Sequence, residues 1–373
     1  MKALGLSTWL VCVDSKTTGL LQSFTYAYEV LVGLLGPRRR DCRIIREAVT
    51  ERRDRAFLAC RDTNVARAIL MTETLKLIQF RAAYNLPVHV GIETEIFARH
   101  GLAIETAYTP GSLYLSQALK EGRYDIGHTG ADDIIAAVEN DYDSDLFIFM
   151  GLHSGLFTLV GALDCSSIEA LTRRCIGVDA RTSGFALVLQ SMLHARGFAR
   201  DEYQLIEIGG WESRYRALLR GEIAATLLTE PFVLNARKAG CHVLASDFEM
   251  IASYQGTCGA ASRRFAERHP DRLIRYIRAY VEATQWCFAR ENRRDCLDLL
   301  ARHNQIDERA AETTLNALLD PEHGLYAKAA VNLTGVRAAL NIRAELGYLP
   351  TPVPPVEKYV DLSYYHNAMG IDA

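Results

Sequence analysis

The chain has 373 residues, of which 49% are hydrophobic and 23% are charged, and its formal net charge at pH 7 is -3. This composition predicts a globular protein with enough apolar residues for two cores, and it excludes a disordered chain. The nearly balanced charge predicts no nucleic-acid partner. The apolar run from Ala3 to Val13 is too short for stable insertion into a membrane. A small molecule is therefore the expected partner.

Nine cysteines are scattered along the chain, and none of them forms a C-x-x-C pair. The pattern predicts neither a disulfide framework nor a zinc site, so no metal and no cofactor are expected. Free use of cysteine favours a reducing compartment.

Residues 1–70 differ in character from the rest of the chain. The apolar run at the start is followed by Asp14, Ser15 and Lys16 without a cleavage site, and ten arginines lie between Arg38 and Arg67. We expect an extension that is poorly ordered or not native, with Met71 as the natural start of the protein.

After Met71 the sequence alternates strands and helices. The first strand is predicted from Leu75 to Phe80. A helix is predicted to begin at Pro87 and to end at Gly101, with an apolar face formed by Val88, Ile92, Ile96 and Phe97. Residues 112–130 and 213–229 repeat one pattern, an amphipathic helix, a glycine and a short strand. Such a duplication indicates two α/β halves.

Two segments are expected to cross between these halves, one around His153 and the other around Gly256. The first lobe is then predicted to comprise residues 71–152 and 256–373, and the second lobe residues 153–255. Helices that begin at Asp271 are expected to pack back on the first lobe.

From residue 81 onward the motifs and their order resemble the solute-binding proteins of ABC importers, in the branch that takes nitrate, sulfonates, taurine and the pyrimidine precursor of thiamine. The resemblance covers about residues 74–300. It is carried in the first half by Asn85-Leu86-Pro87, Ile96 to Leu102, the Ser112 loop and Ala118 to Ile126, and in the second half by Ile176-Gly177-Val178, Ser183-Gly184, Gly221 to Ala225 and Glu230-Pro231.

This resemblance implies the type-2 periplasmic-binding-protein fold, in which two α/β lobes joined by two crossing strands close like a hinge on a ligand. It also implies an ABC permease as partner and a periplasmic location. The missing export signal and the nine cysteines leave a cytoplasmic location open. The same fold occurs in cytosolic enzymes, so a cofactor-free decarboxylase or a thiamine-pyrimidine-precursor enzyme is the alternative function.

Ligands of open α/β sheets bind outside the carboxyl ends of the strands, which selects polar and aromatic residues that follow the predicted strands. The predicted ligand-binding residues are Arg81, Tyr84, Asn85, Ser112, His128, Thr129, Arg181, Thr182, Ser183, Trp211, Glu212 and Glu230.

Each type of residue in this set suggests a role. Ser112, Thr182 and Ser183 are predicted at helix N-termini, which bind anions through free N–H groups. Arg81 and Arg181 could clamp an anion. The aromatic residues Tyr84 and Trp211 offer faces for a planar ligand.

His128 could bind the ligand or act as a base, but the sequence supplies no second acid or base group and no known catalytic motif. We therefore expect a binding protein for an anionic or heteroaromatic solute and no catalytic residues.

Overall fold

The computed structural model describes residues 72–246, 251 and 253–371. Every described residue belongs to one compact unit, Ala68–Ala373. The expected extension over residues 1–70 lies outside the described residues and stays a prediction.

Within the described residues, ten strands form two five-stranded sheets. The strands are β1 (Glu73–Gln79), β2 (Leu102–Tyr108), β3 (Ile126–Gly130), β4 (Leu146–Gly151), β5 (Thr158–Gly161), β6 (Cys175–Val178), β7 (Gln204–Glu207), β8 (Ala225–Leu228), β9 (His242–Ser246) and β10 (Thr257–Ser262).

The strand order is β2-β1-β3-β10-β4 in the first sheet and β7-β6-β8-β5-β9 in the second. In the first sheet β1 is parallel to β2 and β3, and in the second β6 is parallel to β7 and β8. The strand that directly follows each crossing, β5 or β10, is antiparallel to both of its neighbours. This topology confirms the predicted α/β architecture of two lobes joined by two crossings.

The main helices of the described residues surround these sheets. They are α1 (Leu86–Glu93), α2 (Ile96–Arg99), α3 (Ser112–Lys120), α4 (Ala131–Asn140), α5 (Gly184–Ala195), α6 (Trp211–Leu219), α7 (Phe232–Lys238), α8 (Arg263–Arg268), α9 (Pro270–Phe288), α10 (Arg293–Asn304), α11 (Glu308–Leu318), α12 (Leu333–Glu345) and α13 (Ser363–Met369).

The single helix predicted from Pro87 to Gly101 is wrong, because the structure has two helices there. Glu95, between α1 and α2, has a left-handed backbone with φ of 59°, which ends a helix. The turn leaves Ile92 40% exposed while Phe97 remains buried. The apolar spacing is therefore shared between two short helices.

The C-terminal helices pack on both lobes, whereas the sequence predicts packing on the first lobe alone. Helix α9 contacts α1, α2 and α13 of the first lobe, as expected. Helix α12 contacts α4 of the first lobe and α5 of the second. In α12, Arg343 is buried and its Nη1 donates to Asp132 Oδ2 at 2.5 Å and to the Thr182 carbonyl at 3.3 Å. One side chain thus joins both lobes.

The two sheets support the proposed lobes, residues 71–152 with 256–373 and residues 153–255, although those boundaries themselves stay a prediction. No helix in the described part of the chain is both long and apolar enough to cross a membrane.

Candidate functional site

The two lobes meet along a cleft at the carboxyl ends of their parallel strands. The amide of Ala83 in the first lobe donates to the Glu230 carbonyl in the second at 3.3 Å, and the amide of Gly210 donates to the Pro110 carbonyl at 3.2 Å. A cavity of about 20 Å³ remains between them. This volume holds about one water molecule, so the structure is that of a closed cleft.

Both lobes contribute to the wall of this cavity. The first lobe supplies Phe80, Tyr84, Gly130 and Asp133, the second lobe supplies Asp179, Ser183, Gly184, Phe185, Trp211 and Arg214, and Tyr254 and Thr257 come from the returning crossing.

Asp179 comes directly after β6 and connects the two lobes. Its Oδ1 accepts a hydrogen bond of 2.5 Å from the Ser183 hydroxyl, and its Oδ2 accepts one of 2.9 Å from the Ser112 hydroxyl. Ser183 precedes α5 in the second lobe, while Ser112 is the first residue of α3 in the first lobe. One carboxylate therefore lies at the beginning of two helices from opposite lobes.

Asp133 lies in the first turn of α4, on the other side of the cleft. Its Oδ2 accepts hydrogen bonds from the Thr129 hydroxyl at 2.7 Å and from the Gly130 amide at 3.0 Å. Burial, and then the negative charge of Asp179, raise the pKa of Asp133 to about 7. The closed cleft thus brings together two carboxylates that repel each other.

Arg214 is the buried cation of the cavity wall and is 3% exposed. Its Nε donates to the Gly209 carbonyl and its Nη1 to the Leu227 carbonyl, both at 2.9 Å. Its guanidinium carbon lies 4.4 Å from the centre of a Trp211 ring, a cation–π contact. Burial lowers the pKa of Arg214, and the charge of Asp179 opposes that shift. Among the described residues, no carboxylate forms an ion pair with it.

Aromatic side chains form much of the remaining wall. The Phe185 ring lies 5.7 Å from Trp211 and 6.2 Å from Tyr254, measured between ring centres. Burial raises the pKa of Tyr84 to about 12, so its hydroxyl stays protonated. The Trp211 side chain lies close enough to the Tyr84 hydroxyl to lower its pKa, against the larger effect of burial. Two aromatic residues from opposite lobes thus meet at the cavity.

A second cavity of about 140 Å³ lies next to the first and shares Asp133 and Ser183 with it. Helices α3 and α4 line it from the first lobe, and Ala180 and Thr182 line it from the second. Lys120, which also lines this cavity, forms an ion pair with Asp141. The cleft thus extends sideways beyond Asp133.

The structure brings part of the predicted set together. Tyr84, Ser183 and Trp211 line the smaller cavity, while Ser112, Thr182 and Ser183 line the larger one. In this closed state the hydroxyls of Ser112 and Ser183 both donate to Asp179, so neither donates to a ligand anion.

Three other predicted residues do not line either cavity, and their role as ligand contacts stays a prediction. The exposed Arg81 packs over the Tyr108 ring at 4.2 Å, and Arg181 is exposed as well. Glu212 forms an ion pair with Arg216 one helical turn away on α6.

A further three predicted residues support the backbone and neighbouring side chains. Asn85 Nδ2 donates to the Phe80 carbonyl at 2.6 Å, and the buried Thr129 donates to Asp133. Glu230 accepts from the Leu234 amide at the beginning of α7, and its carbonyl accepts from Ala83 across the cleft. We find these side chains outside the residues that line the two cavities.

The structure does not bring His128, predicted as a ligand-binding residue, to either cavity. This residue lies inside β3 and is fully buried. Its Nε2 and the hydroxyl of Tyr276 in α9 form a hydrogen bond of 2.8 Å. Its ring also meets Tyr280 edge to face at 5.4 Å. Burial lowers the pKa of His128 to about 3. His128 is therefore a neutral core residue that faces α9.

Sequence reasoning missed Asp133, Asp179 and Arg214. Asp179 directly follows a predicted strand, so the strand-end rule could have selected it. Asp133 stands in the first turn after β3, and Arg214 stands three residues after Trp211, close enough on a helix to share its face. Among the described residues, no group of three or more His, Cys, Asp or Glu side chains could hold a metal ion.

Comparisons with known proteins agree with this fold. The model of the NMT1-like family matches residues 72–301, more than half of the chain. No curated protein sequence matches the chain significantly.

Three solved structures illustrate the likeness in fold. A protein from Bordetella bronchiseptica is 18% identical with a TM-score of 0.67, and the match covers 80% of this chain and 97% of that one. The nitrate-binding protein NrtA of Synechocystis is 12% identical with a TM-score of 0.68, and the match covers 80% of this chain and 89% of that one. The alkanesulfonate-binding protein SsuA of Xanthomonas axonopodis, bound to MOPS, is 16% identical with a TM-score of 0.64, and the match covers 76% of this chain and 97% of that one.

The last two proteins come from the branch of solute-binding proteins that the sequence resembles, which confirms that resemblance. The family match, together with the two-lobed periplasmic-binding-protein fold, identifies the chain as a member of the NMT1-like family.

Proposed function

We propose that the chain is a small-molecule solute-binding protein of an ABC importer, which closes its two lobes on a ligand and presents it to a permease. The observation that carries this proposal is the composition of the central cavity. Tyr84 and Asp133 come from one lobe and Asp179, Trp211 and Arg214 come from the other. A ligand held by both walls would stabilise the closed arrangement, which is how binding drives hinge closure.

The comparisons support this function by analogy. By their names, the similar structures from Synechocystis and Xanthomonas axonopodis bind nitrate and alkanesulfonates. Another similar structure, from Staphylococcus aureus, is named as the ligand-binding component of an ABC-type import system, with 14% identity and a TM-score of 0.64. Carried over to this chain, these names support an importer and a permease partner, and they leave the ligand open.

We further propose that the cavity binds its ligand without converting it. His128, which the sequence offers as a base only under the enzyme alternative, packs against α9 instead. Both carboxylates of the cavity are already held by protein donors, Asp133 by Thr129 and Gly130 and Asp179 by two serines. Such anchoring suits recognition, and Tyr84, Ser112, Thr182, Ser183 and Trp211 remain the predicted residues proposed to contact the ligand.

The purified protein, freed of bound solutes, should be incubated with a protein-free extract of small bacterial metabolites. We expect a higher melting temperature than without extract. Mass spectrometry of the released compound should find it chemically unchanged. Trp211→Leu should remove most of the shift because this residue lines the cavity. The matched control Glu212→Gln, which alters a half-buried residue paired with Arg216 on the same helix, should retain it.

Two results would contradict the proposal. Absence of any shift and of any retained compound would reject a solute-binding role, and a compound converted by the wild-type protein would favour the enzyme alternative. The partner is checked separately, since an importer component is expected to have permease and ATPase genes beside its own.

A further inference from the structure

Two cysteines outside the cleft lie together at the corner where the chain turns from α9 into α10. Cys287 belongs to the last turn of α9, and Cys296 belongs to the first turn of α10. Their exposed fractions are 1% and 0%, and neither residue lines a cavity of the cleft. The fold thus gathers two buried thiols at a place that solute binding does not use.

The hydrogen bonds of these thiols bring the two sulfur atoms next to each other. Cys287 Sγ donates to the Ala283 carbonyl at 3.2 Å, and Cys296 Sγ lies 3.9 Å from the Cys287 carbonyl. The two thiols also form a hydrogen bond with each other, which lowers the pKa of Cys296. Burial raises the pKa of Cys287. Cys296 is therefore the thiol that ionises first and can act as a nucleophile.

The connection between the two helices is short and lies at the surface. Cys296 follows Cys287 by nine residues, and the 3-10 turn Arg290–Asn292 lies between them. Asn292 Nδ2 donates to the Trp286 carbonyl at 2.9 Å and holds this turn in place, while Arg290 and Glu291 are exposed. A local opening of this turn is enough to admit a small reagent to the thiols.

Helix α10 supports the part of the first lobe that forms one wall of the cleft. It contacts α1 and α11, and α11 contacts the turn Ala83–Asn85, which carries Tyr84 to the cavity. The ring of His303 in α10 also stacks on His89 in α1, with 3.7 Å between ring centres. A covalent bond between α9 and α10 would therefore brace this wall.

We propose that Cys287 and Cys296 form a reversible disulfide when the protein meets an oxidising pool of small disulfides. The Cys296 thiolate attacks one sulfur of the small disulfide, which forms a mixed disulfide and releases one thiolate. Cys287 then gives its proton to water and attacks the Cys296 sulfur, which forms the protein disulfide and releases the second thiolate. Two protein thiols are oxidised while one small disulfide is reduced to two thiols.

This inference goes beyond solute binding and does not depend on the ligand. The sequence leaves a periplasmic and a cytoplasmic location open, and the pair would be bridged in the first and reduced in the second. The bridge closes a short loop and so restricts the unfolded chain, which stabilises the fold. The redox state of the compartment would then set the stability of the first lobe.

The test treats the full-length, reduced protein with oxidised glutathione at pH 8 and then blocks the remaining thiols with N-ethylmaleimide. Trypsin cleaves after the neighbouring arginines, so the bridge should join peptide 279–290 to peptide 295–302. Mass spectrometry should find this joined pair as the main disulfide product, and a reductant should separate it. The bridged protein should melt roughly 5 °C above the reduced protein.

Two variants separate the roles of the thiols. Cys287→Ser keeps the nucleophile, so its reaction should stop at the mixed disulfide with glutathione. Cys296→Ser should react at least about 10-fold more slowly, because the remaining thiol is poorly ionised. The control Cys258→Ser alters a fully buried cysteine that donates to the Thr129 carbonyl, and it should form the bridge like the wild type.

A bridge to any other cysteine, mixed disulfides alone in the wild type, or no reaction with glutathione would overturn the inference. Equal modification of Cys258 would also overturn it, because the thiols would then react only after the whole chain unfolds. The peptide map of the wild type decides whether the bridge forms, so a poorly folded variant does not affect that result. Solute binding is measured separately and can fail or succeed without changing it.

Discussion

Ser112 and Asp179 join the two lobes through a hydrogen bond of 2.9 Å between the serine hydroxyl and the carboxylate. The bond spans the cleft, together with the backbone hydrogen bond between Ala83 and Glu230. Since the cavity behind it holds about one water molecule, a ligand can enter only after the lobes separate.

The first prediction concerns this contact. Ser112→Ala removes a hydrogen bond to a charged group, which is worth about 1.5–3 kcal/mol, and should shift the population toward open lobes. Small-angle scattering should show a larger radius of gyration than for the wild type. The control Ser116→Ala, on the same helix, should behave like the wild type, and identical curves for all three proteins would show that the bond does not govern closure.

The second prediction concerns the buried pair of Arg343 and Asp132, whose side chains are both 1% exposed. Arg343→Met leaves the Asp132 carboxylate buried without its cation, which typically costs about 3–5 kcal/mol. Burial already raises the pKa of Asp132 to about 6, so protonation should reduce the loss at pH 5 relative to pH 8. Urea unfolding at both pH values measures this.

The matched control is Arg337→Met on the same helix, where the guanidinium donates to the Pro354 carbonyl near the surface. We expect the unfolding free energy of this control to fall by less than about 1 kcal/mol, as is common for substitutions near the surface. Equal losses in both variants, or a loss in Arg343→Met that does not depend on pH, would contradict the role assigned to the pair.

The third prediction uses the low pKa of His128, about 3 in the folded protein. The unfolded chain binds a proton at this histidine near pH 6.5 and the folded protein does not, so stability falls as the pH drops below 6.5. Between pH 7 and pH 5 this residue should account for about 2 kcal/mol of that loss. His128→Gln should therefore lose about 2 kcal/mol less over this interval.

Tyr276→Phe is the control for His128→Gln, because it removes the same hydrogen bond and keeps the imidazole. Its unfolding free energy should be lower throughout but should fall with pH as steeply as in the wild type. If His128→Gln kept the wild-type slope, His128 would have to be protonated in the fold.

The fourth prediction concerns Asp133, whose pKa is raised from 3.8 to about 7. A carboxyl group with a raised folded pKa contributes stability below its unfolded pKa and loses it as the pH rises through the folded value. We compare the unfolding free energy of Asp133→Asn with that of the wild type at each pH. This difference should favour the variant more at pH 8 than at pH 5, by at least about 1 kcal/mol. Chemical unfolding of both proteins at the two pH values measures this. An equal difference at pH 5 and pH 8 would show that the folded protein does not disfavour ionisation of Asp133.

Much of the fold could be predicted from the sequence because its strands are short apolar runs that end at polar loops. Leu75 and Leu77 are fully buried in β1, and the duplicated pattern ending in Ala225 to Leu228 forms β8. The break at Glu95 escaped prediction because a left-handed residue leaves the apolar spacing almost unchanged.

The site was harder to predict, because the strand-end rule selects residues by position and takes no account of what their side chains already bind. His128 was selected as a residue near a strand end, yet Tyr276, which lies 148 residues later, forms a hydrogen bond with its Nε2. Likewise the serines at the helix N-termini are bound by Asp179, one of them from the opposite lobe. Such pairings arise only when distant segments fold together.

The position of β10 between β3 and β4 has a consequence for the order in which the protein is made. All five strands of the second sheet lie between residues 158 and 246, whereas the first sheet needs β10, which ends at Ser262. During synthesis, the strands β1 to β4 leave the ribosome before the strand that pairs with both β3 and β4. The second sheet is therefore the first that the growing chain can complete, and the exposed edges of β3 and β4 must wait for their partner.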